Sequence, residues 1–204
     1  MLVFYDVDTQ TDFFPGGNLA VPDADMIKEN IRRLTMRALE TDSYILGSMD
    51  AHLNDDSEFE IFPPHCIMGT EGYQKIVESL IPACEILPRD TKWEEIRLKD
   101  TTRQIMFEKA TYDIWDYEFG NPLLERTVLE NGIDTVIVYG VSTNICVAAA
   151  VKGFIERKIK VYLVTDAIKG LTIDENNNEE TALRDMIALG AIPIETNLLY
   201  LGDN

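Results

Sequence analysis

The sequence predicts an α/β protein, a three-layer sandwich in which helices cover both faces of a mostly parallel six-stranded sheet. Short segments rich in Val, Ile, Leu and Tyr alternate along the chain with segments whose apolar residues recur at helical spacing. The strand-like segments are almost continuously apolar, which is typical of parallel strands buried on both faces. A chain of 204 residues with 46% hydrophobic content has the size of one such unit, so we predict a single domain over residues 1–204.

The first half of the chain supplies three strands and two helices of this scheme. Apolar segments predict strands at residues 2–8, 43–48 and 103–108. Helical spacing predicts a helix at 23–39, with Asp23 or Asp25 as its N-cap, and a shorter helix at 71–80. The stretch 53–69 is rich in Pro and acidic residues and predicts a long loop. Loops of this length in compact domains are usually functional or disordered.

The second half of the chain continues the alternation. Strands are predicted at residues 135–139, 160–165 and 191–196, and helices at 121–131, 143–157 and 175–189. Gly132 and Gly190 directly follow the first and the last of these helices. Glycine commonly adopts the left-handed conformation that ends a helix, so both positions support the predicted boundaries.

The composition excludes several classes of function. The chain carries 36 acidic and 18 basic residues, and its net charge of -18 repels nucleic acid and anionic lipid. No apolar segment approaches the roughly 20 residues that span a membrane, and the N-terminus enters a strand at once instead of showing a signal peptide. Three cysteines at irregular spacing give no disulfide framework. We therefore expect a cytoplasmic protein whose partners are neither nucleic acids nor membranes.

Chemically unusual residues follow the predicted strands. In open parallel sheets covered by helices, ligands bind beyond the carboxyl ends of the strands. The residues at or just after those ends are Asp8, Asp50, Lys109, the segment from Ser142 to Cys146, and Asp166. The sequence therefore predicts a site at this edge of the sheet.

The segment from Gly140 to Val147 joins a predicted strand to a predicted helix and delivers Cys146 to the first helical turn. Unpaired N–H groups and the positive end of the helix dipole favour a thiolate at such a position. Several hydrolases expose a nucleophile at a junction of this kind, beside free backbone donors. Taken singly, a small buried cysteine, a turn aspartate at Asp8 and a solvated lysine at Lys109 remain the simpler interpretations.

Three segments carry a family resemblance when they are considered together. They are Asp8–Phe13 with the following Pro15–Gly17, Lys109 with Thr111–Asp113, and Gly140–Thr143 with Cys146. In this order they resemble the isochorismatase-like cysteine hydrolases, and among these the nicotinamidases most closely, over residues 1 to about 196. The resemblance implies a Rossmann-like fold and a homo-oligomer, either a dimer or a tetramer.

The same resemblance assigns roles to the residues of these segments. It implies that Asp8, Lys109 and Cys146 are catalytic. It further implies a cis peptide between Val141 and Ser142 and an oxyanion hole formed by the backbone amides of Ser142 and Cys146. Asp8 is then the base that accepts the thiol proton, and Lys109 stabilises the thiolate.

The only two histidines, His52 and His65, lie in one loop system with Asp50. One carboxylate and two imidazoles form a plausible site for a divalent metal, although two histidines scattered on the surface are common. All three match positions at which nicotinamidases bind a metal that holds the pyridine nitrogen of the substrate. The resemblance therefore implies a divalent cofactor, with Zn, Fe, Mn and Mg all compatible with these ligands.

The chain departs from nicotinamidases around the expected substrate pocket. It has Asp50-Ala51-His52-Leu53 where they typically have Asp-Trp-His-Pro, and a charge-rich insertion at 89–103. Phe13, Phe62 and Trp115 are candidate pocket walls against an aromatic ring, although residues of this kind more often simply belong to the core.

The main hypothesis from the sequence is a cysteine amidohydrolase that cleaves a small amide through a thioester, most closely nicotinamide to nicotinate and ammonia. One alternative is another hydrolase of this kind, acting on an N-carbamoyl or ureido amide or as an isochorismatase. A second alternative is a binding or scaffold protein without catalysis. The joint presence of Asp8, Lys109 and Cys146 disfavours this last alternative.

Overall fold

A computed structural model describes residues 1–91, 98 and 102–201. Seven strands are present within these residues: β1 (Leu2–Val7), β2 (Ile45–Asp50), β3 (Cys84–Leu87), β4 (Gln104–Lys109), β5 (Thr135–Val141), β6 (Lys160–Lys169) and β7 (Ile192–Ile194). The α-helices are α1 (Lys28–Glu40), α2 (Pro122–Glu130), α3 (Ala148–Glu156) and α4 (Glu179–Leu189).

All seven strands run parallel in one sheet, in the order β3-β4-β2-β1-β5-β6-β7. One buried apolar cluster lies between the sheet and α2, α3 and α4, and includes Tyr5, Phe107 and Phe154. A second cluster lies on the opposite face beneath α1 and includes Phe4 and Ile31. The predicted fold class is therefore confirmed, since helices cover both faces of a parallel sheet. Among the described helices, none is both long and apolar enough to cross a membrane.

The sheet has one strand more than predicted. Strand β3 pairs with β4 from Cys84↔Gln104 to Leu87↔Phe107 at one edge of the sheet. Its middle residues, Glu85 and Ile86, are exposed, so the segment lacks the continuous apolar pattern that reveals a central strand.

The helix predicted at 71–80 is wrong. This segment contains only a short 3₁₀ turn at Val77–Ser79. The amide of Ile76 donates to the carbonyl of Thr9, and the carbonyl of Gln74 accepts from the amide of Thr11. These backbone groups bond to the chain after β1, so they are unavailable for helical hydrogen bonds.

Several predicted boundaries are also corrected. A 3₁₀ turn at Ala24–Ile27 precedes α1, and Asp23 makes no side-chain capping bond. Helix α4 begins at Glu179 and not at 175, because the Asn178 side chain accepts from the amide of Thr181 and so caps the helix. The charge-rich stretch 89–103 lies mostly outside the described residues.

Candidate active site

Four central strands, β4, β2, β1 and β5, are adjacent and bring their carboxyl ends together. Asp50 and Lys109 are register partners at the ends of β2 and β4. Asp8 directly follows β1, and Cys146 lies in a π-helical turn, Thr143–Val147, between β5 and α3. The strand-end residues predicted from the sequence therefore meet at one edge, apart from Asp166. Asp166 lies within β6, where its side chain accepts bonds from Thr196.

The side chains of Asp8, Lys109 and Cys146 form a buried group that we call the Asp–Lys–Cys cluster. The Lys109 ammonium lies 2.8 Å from a carboxylate oxygen of Asp8 and 3.8 Å from Sγ of Cys146. It also donates to Asp50. Asp8 is fully buried, Lys109 is 1% exposed, and Cys146 is 7% exposed. A single cation is therefore shared by two carboxylates and a thiol.

Burial sets the ionisation of this cluster. Burial alone would lower the pKa of Lys109, but Asp50 and Asp8 outweigh it and raise the pKa well above its ordinary value. Burial raises the pKa of Asp8, although Lys109 opposes the shift. A carboxylate with a raised pKa is a better base near neutral pH than an ordinary aspartate.

The Cys146 thiol does not follow the expectation drawn from the helix start. Burial raises the pKa of this thiol well above its ordinary value, and Lys109 offsets only part of that effect. The partial charge of a helix end is small compared with the cost of burying a full thiolate. The raised pKa favours the protonated thiol, so Sγ can attack a substrate only if a base accepts its proton.

Asp50, His52 and His65 form a second buried group beside the first. One ligand-type atom from each lies within 4.8 Å of the other two. Burial acts to raise the pKa of Asp50, but Lys109 and the two imidazoles outweigh it and lower that pKa. Asp50 belongs to both groups, because one oxygen contacts Lys109 and the other faces His65 Nε2 at 3.6 Å.

The hydrogen bonds of the two imidazoles prepare them to bind a metal ion. His52 Nδ1 lies 2.9 Å from Asp56 Oδ2, and His65 Nδ1 lies 2.8 Å from the Pro63 carbonyl. Since a carboxylate and a carbonyl can only accept, each Nδ1 donates, and in the neutral form of each ring Nε2 has the lone pair that a metal needs. His52 Nε2 is buried and has no hydrogen-bond partner among the described residues. This donor set fits a divalent transition metal.

The Isochorismatase domain model matches residues 1–197 of this sequence. The chain belongs to the isochorismatase family. The nicotinamidase of Acinetobacter baylyi is 27% identical over 204 residues, covering 90% of this chain and 87% of that protein. The family assignment makes the protein an isochorismatase-family hydrolase.

Solved structures of the family share the fold described above. The pyrazinamidase of Pyrococcus horikoshii, crystallised in complex with zinc, is 25% identical with a TM-score of 0.75, covering 95% of this chain and 98% of that chain. The N-carbamoylsarcosine amidase of Thermoplasma acidophilum is 23% identical with a TM-score of 0.74, covering 96% of both chains. At that identity, the second likeness concerns the fold alone.

In this isochorismatase-family hydrolase, the turn that carries Cys146 begins with the expected cis peptide between Val141 and Ser142. The Ser142 hydroxyl oxygen accepts a bond from the amide of Leu171 at 3.1 Å. Asn144 accepts a second bond from the same amide, at 3.0 Å. These contacts hold the turn against the chain that follows β6.

A small cavity of about 20 Å³ lies beside Cys146. Phe13 and Phe62 line it, together with Asp50, His65 and Ser142. The third candidate wall, Trp115, lies elsewhere. Its ring packs edge-on against Phe154 and beneath the Arg157 guanidinium, and its indole N–H donates to the Ala150 carbonyl. Trp115 therefore belongs to the packing of α3.

Two acidic residues of the 53–69 loop join the site without having been singled out in the sequence. Asp56 holds His52, and a carboxylate oxygen of Glu58 lies 3.9 Å from His65 Nε2. Burial raises the pKa of Glu58. The loop contains other acidic residues at similar spacing, so the sequence offers no signal that separates these two from Asp55 or Glu60.

Proposed function

We propose that this protein is a cysteine amidohydrolase that converts nicotinamide to nicotinate and ammonia, with Asp8, Lys109 and Cys146 as catalytic residues. The observation that carries the proposal is the adjacency of the Asp–Lys–Cys cluster and the Asp50, His52 and His65 group, which share Asp50. A nucleophile with its own base thus lies beside ligands suited to hold a ring nitrogen.

Acylation begins when Asp8 accepts the Cys146 proton while Sγ attacks the carboxamide carbon. The negative charge that develops on the carbonyl oxygen is stabilised by the backbone amides of Ser142 and Cys146. As the C–N bond breaks, the protonated Asp8 returns a proton to the nitrogen, which leaves as ammonia. The product of this half-reaction is a thioester between the acyl group and Cys146.

Deacylation uses the same base, Asp8, which now takes its proton from water and returns it to Sγ. Asp8 accepts a proton from water, the hydroxide adds to the thioester carbon, and the C–S bond breaks. The proton returns to Sγ, so that Cys146 again rests as a thiol and nicotinate leaves. Lys109 remains charged throughout and stabilises the carboxylate and the thiolate in turn.

Asp50, His52 and His65 would hold a divalent ion, with Glu58 close enough to offer a further oxygen. When bound, such an ion supplies a Lewis acid that binds and orients the ring nitrogen of the substrate. Phe13 and Phe62 provide apolar walls for that ring. We further propose that residues 1–204 form one domain that works in the cytoplasm as a homo-oligomer.

Metal removal tests this proposal. We expect the metal-loaded protein to release ammonia from nicotinamide, to lose that activity after treatment with a strong chelator, and to recover it when Zn, Fe, Mn or Mg is restored. The measurement is ammonia release with metal content followed by elemental analysis. A metal-loaded protein that leaves nicotinamide intact would overturn the proposal. Undiminished hydrolysis of nicotinamide by demonstrably metal-free protein would show that the proposed metal is not needed and would remove it from the proposal.

A further inference from the structure

A groove of about 870 Å³ opens beside the small cavity at Cys146. Glu58, Phe62 and Ile145 line both spaces, so the groove and the cavity adjoin. The cavity has room for about one water molecule, whereas the groove has the volume of a site for a drug-sized ligand. Any ring compound that reaches Cys146 must therefore extend toward the groove.

The groove presents apolar surface along one side and neutral polar groups along another. Ala148 and Ala149 of α3 provide the apolar side, while Asn177 and Thr181 provide amide and hydroxyl groups. The side-chain oxygen of Asn177 accepts a bond from the side-chain nitrogen of Asn144 at 2.6 Å. Because Asn144 lies in the same turn as Cys146, Thr143–Val147, this hydrogen bond connects the polar side of the groove to the surroundings of Cys146.

The charges around the groove are mainly negative. Three acidic residues, Glu58, Asp113 and Asp185, line the groove, and Lys152 also belongs to its lining. The whole chain carries a net charge of -18. An anionic ligand would therefore meet repulsion both locally and from the overall field. Neutral groups that donate and accept hydrogen bonds match the asparagine and threonine side chains.

We propose that this groove is the distal part of the substrate site and binds an uncharged, hydrogen-bonding substituent on a ring carboxamide. This inference rests on the function proposed above and narrows its substrate class. The enzyme then prefers substituted pyridine carboxamides to nicotinamide itself. The reaction is unchanged: water is added, the amide C–N bond breaks, and ammonia leaves.

The test compares matched substrates on the metal-loaded protein. Nicotinamide is compared with nicotinamides that carry a hydroxyethylamino group or an anionic carboxymethylamino group at ring position 5 or 6. We expect the better hydroxyethylamino isomer to exceed both nicotinamide and its anionic counterpart in kcat/KM by at least about tenfold. The readout is ammonia release.

Two variants of α4 introduce a tryptophan ring, one inside the groove and one outside it. Ala182 lines the groove, whereas Ala188 is exposed on α4 outside its lining. Ala182→Trp should lower the ratio of kcat/KM for the neutral substituted amide to that for nicotinamide by about tenfold. Ala188→Trp should leave that ratio unchanged. Ala149→Trp on α3 serves as a second groove variant should Ala182→Trp fold poorly.

The outcomes separate this inference from the proposed function. If nicotinamide is hydrolysed but the neutral substituted amides are not preferred, the inference is overturned and the proposed function stands. If no amide releases ammonia, both are overturned. Sedimentation compares the oligomeric state of native protein and Ala182→Trp. If the native protein is an oligomer and the variant dissociates, the groove is a subunit interface and the inference is also overturned.

Discussion

Lys109 determines the charge balance of the site. Its ammonium is the cation shared by Asp8, Asp50 and the Cys146 thiol. A buried ammonium is costly unless it is paired, and here two carboxylates stabilise it. The two carboxylates in turn depend on Lys109, because both are buried and would repel each other without a cation between them. Removing Lys109 would thus disturb both Asp8, the proposed base, and the proposed metal ligands Asp50, His52 and His65.

Asp12 is a less obvious residue that supports the proposed metal group. It is 5% exposed, and its carboxylate accepts bonds from the amide of Cys66 at 2.7 Å and the amide of Asn18 at 2.9 Å. Cys66 follows His65 and has a φ of 46°. The Asp12 carboxylate therefore fixes the backbone that carries His65, and it acts as a positioning residue.

Replacing Asp12 should weaken metal binding. Partners that orient a metal ligand typically contribute about 10- to 100-fold to metal affinity, so we expect Asp12→Ala to raise the metal dissociation constant by about tenfold or more. The measurement is competition with a chromophoric chelator on folded protein. Asp25→Ala, at an exposed position, is the control. Equal affinity in the two variants, whatever their melting temperatures, would show that Asp12 does not position His65.

The junction between β5 and α3 is the element that carries Cys146, the proposed nucleophile. Gly140 has a φ of 123°, and a Cβ atom placed there would lie 2.1 Å from the carbonyl oxygen of Val7. Strand β1, which ends at Val7, leads directly to Asp8. The close approach of the two backbones is what brings Asp8 and the turn that carries Cys146 together, and it requires a glycine.

A substitution at this junction should destabilise the whole protein. Gly140→Ala combines an unfavourable φ with a backbone clash, and we expect it to lower the free energy of unfolding by about 3 kcal/mol. Gly132→Ala is the matched control, because its φ is 62° but open space surrounds it; it should cost about 1 kcal/mol. Urea denaturation measures both. Equal losses of unfolding free energy in the two variants would show that the close contact between β1 and β5 does not require a glycine at position 140.

The four central strands could be predicted from the sequence, whereas the edge strand β3 and the structure of the segment 71–80 could not. Strands β1, β2, β4 and β5 are buried on both faces, so their apolar segments are nearly continuous. The edge strand β3 exposes Glu85 and Ile86 and gives no such pattern. At 71–80, bonding to the chain after β1 overrides a helical periodicity, which local sequence does not reveal.

At the scale of the whole molecule, parallel topology places the site. Because the carboxyl ends of parallel strands share one edge, the sequence alone predicts that Asp8, Asp50, Lys109 and Cys146 meet there. The resting protonation of Cys146 could not be predicted in this way, since it depends on burial by the folded chain. The roles of Asp56 and Glu58 depend on the path of an acidic loop, and the position of Trp115 depends on the packing of α3.

Cys146 is the proposed nucleophile of an amide hydrolysis, and every catalytic step depends on it. The most direct measurement compares ammonia release from nicotinamide by metal-loaded native protein, Cys146→Ala and Cys84→Ala. Cys84 is a free, half-buried thiol outside the Asp–Lys–Cys cluster. We expect Cys84→Ala to retain native activity and Cys146→Ala to lose at least about 10⁴-fold in kcat. A Cys146→Ala protein that hydrolyses nicotinamide at the native rate would show that Cys146 is not the nucleophile.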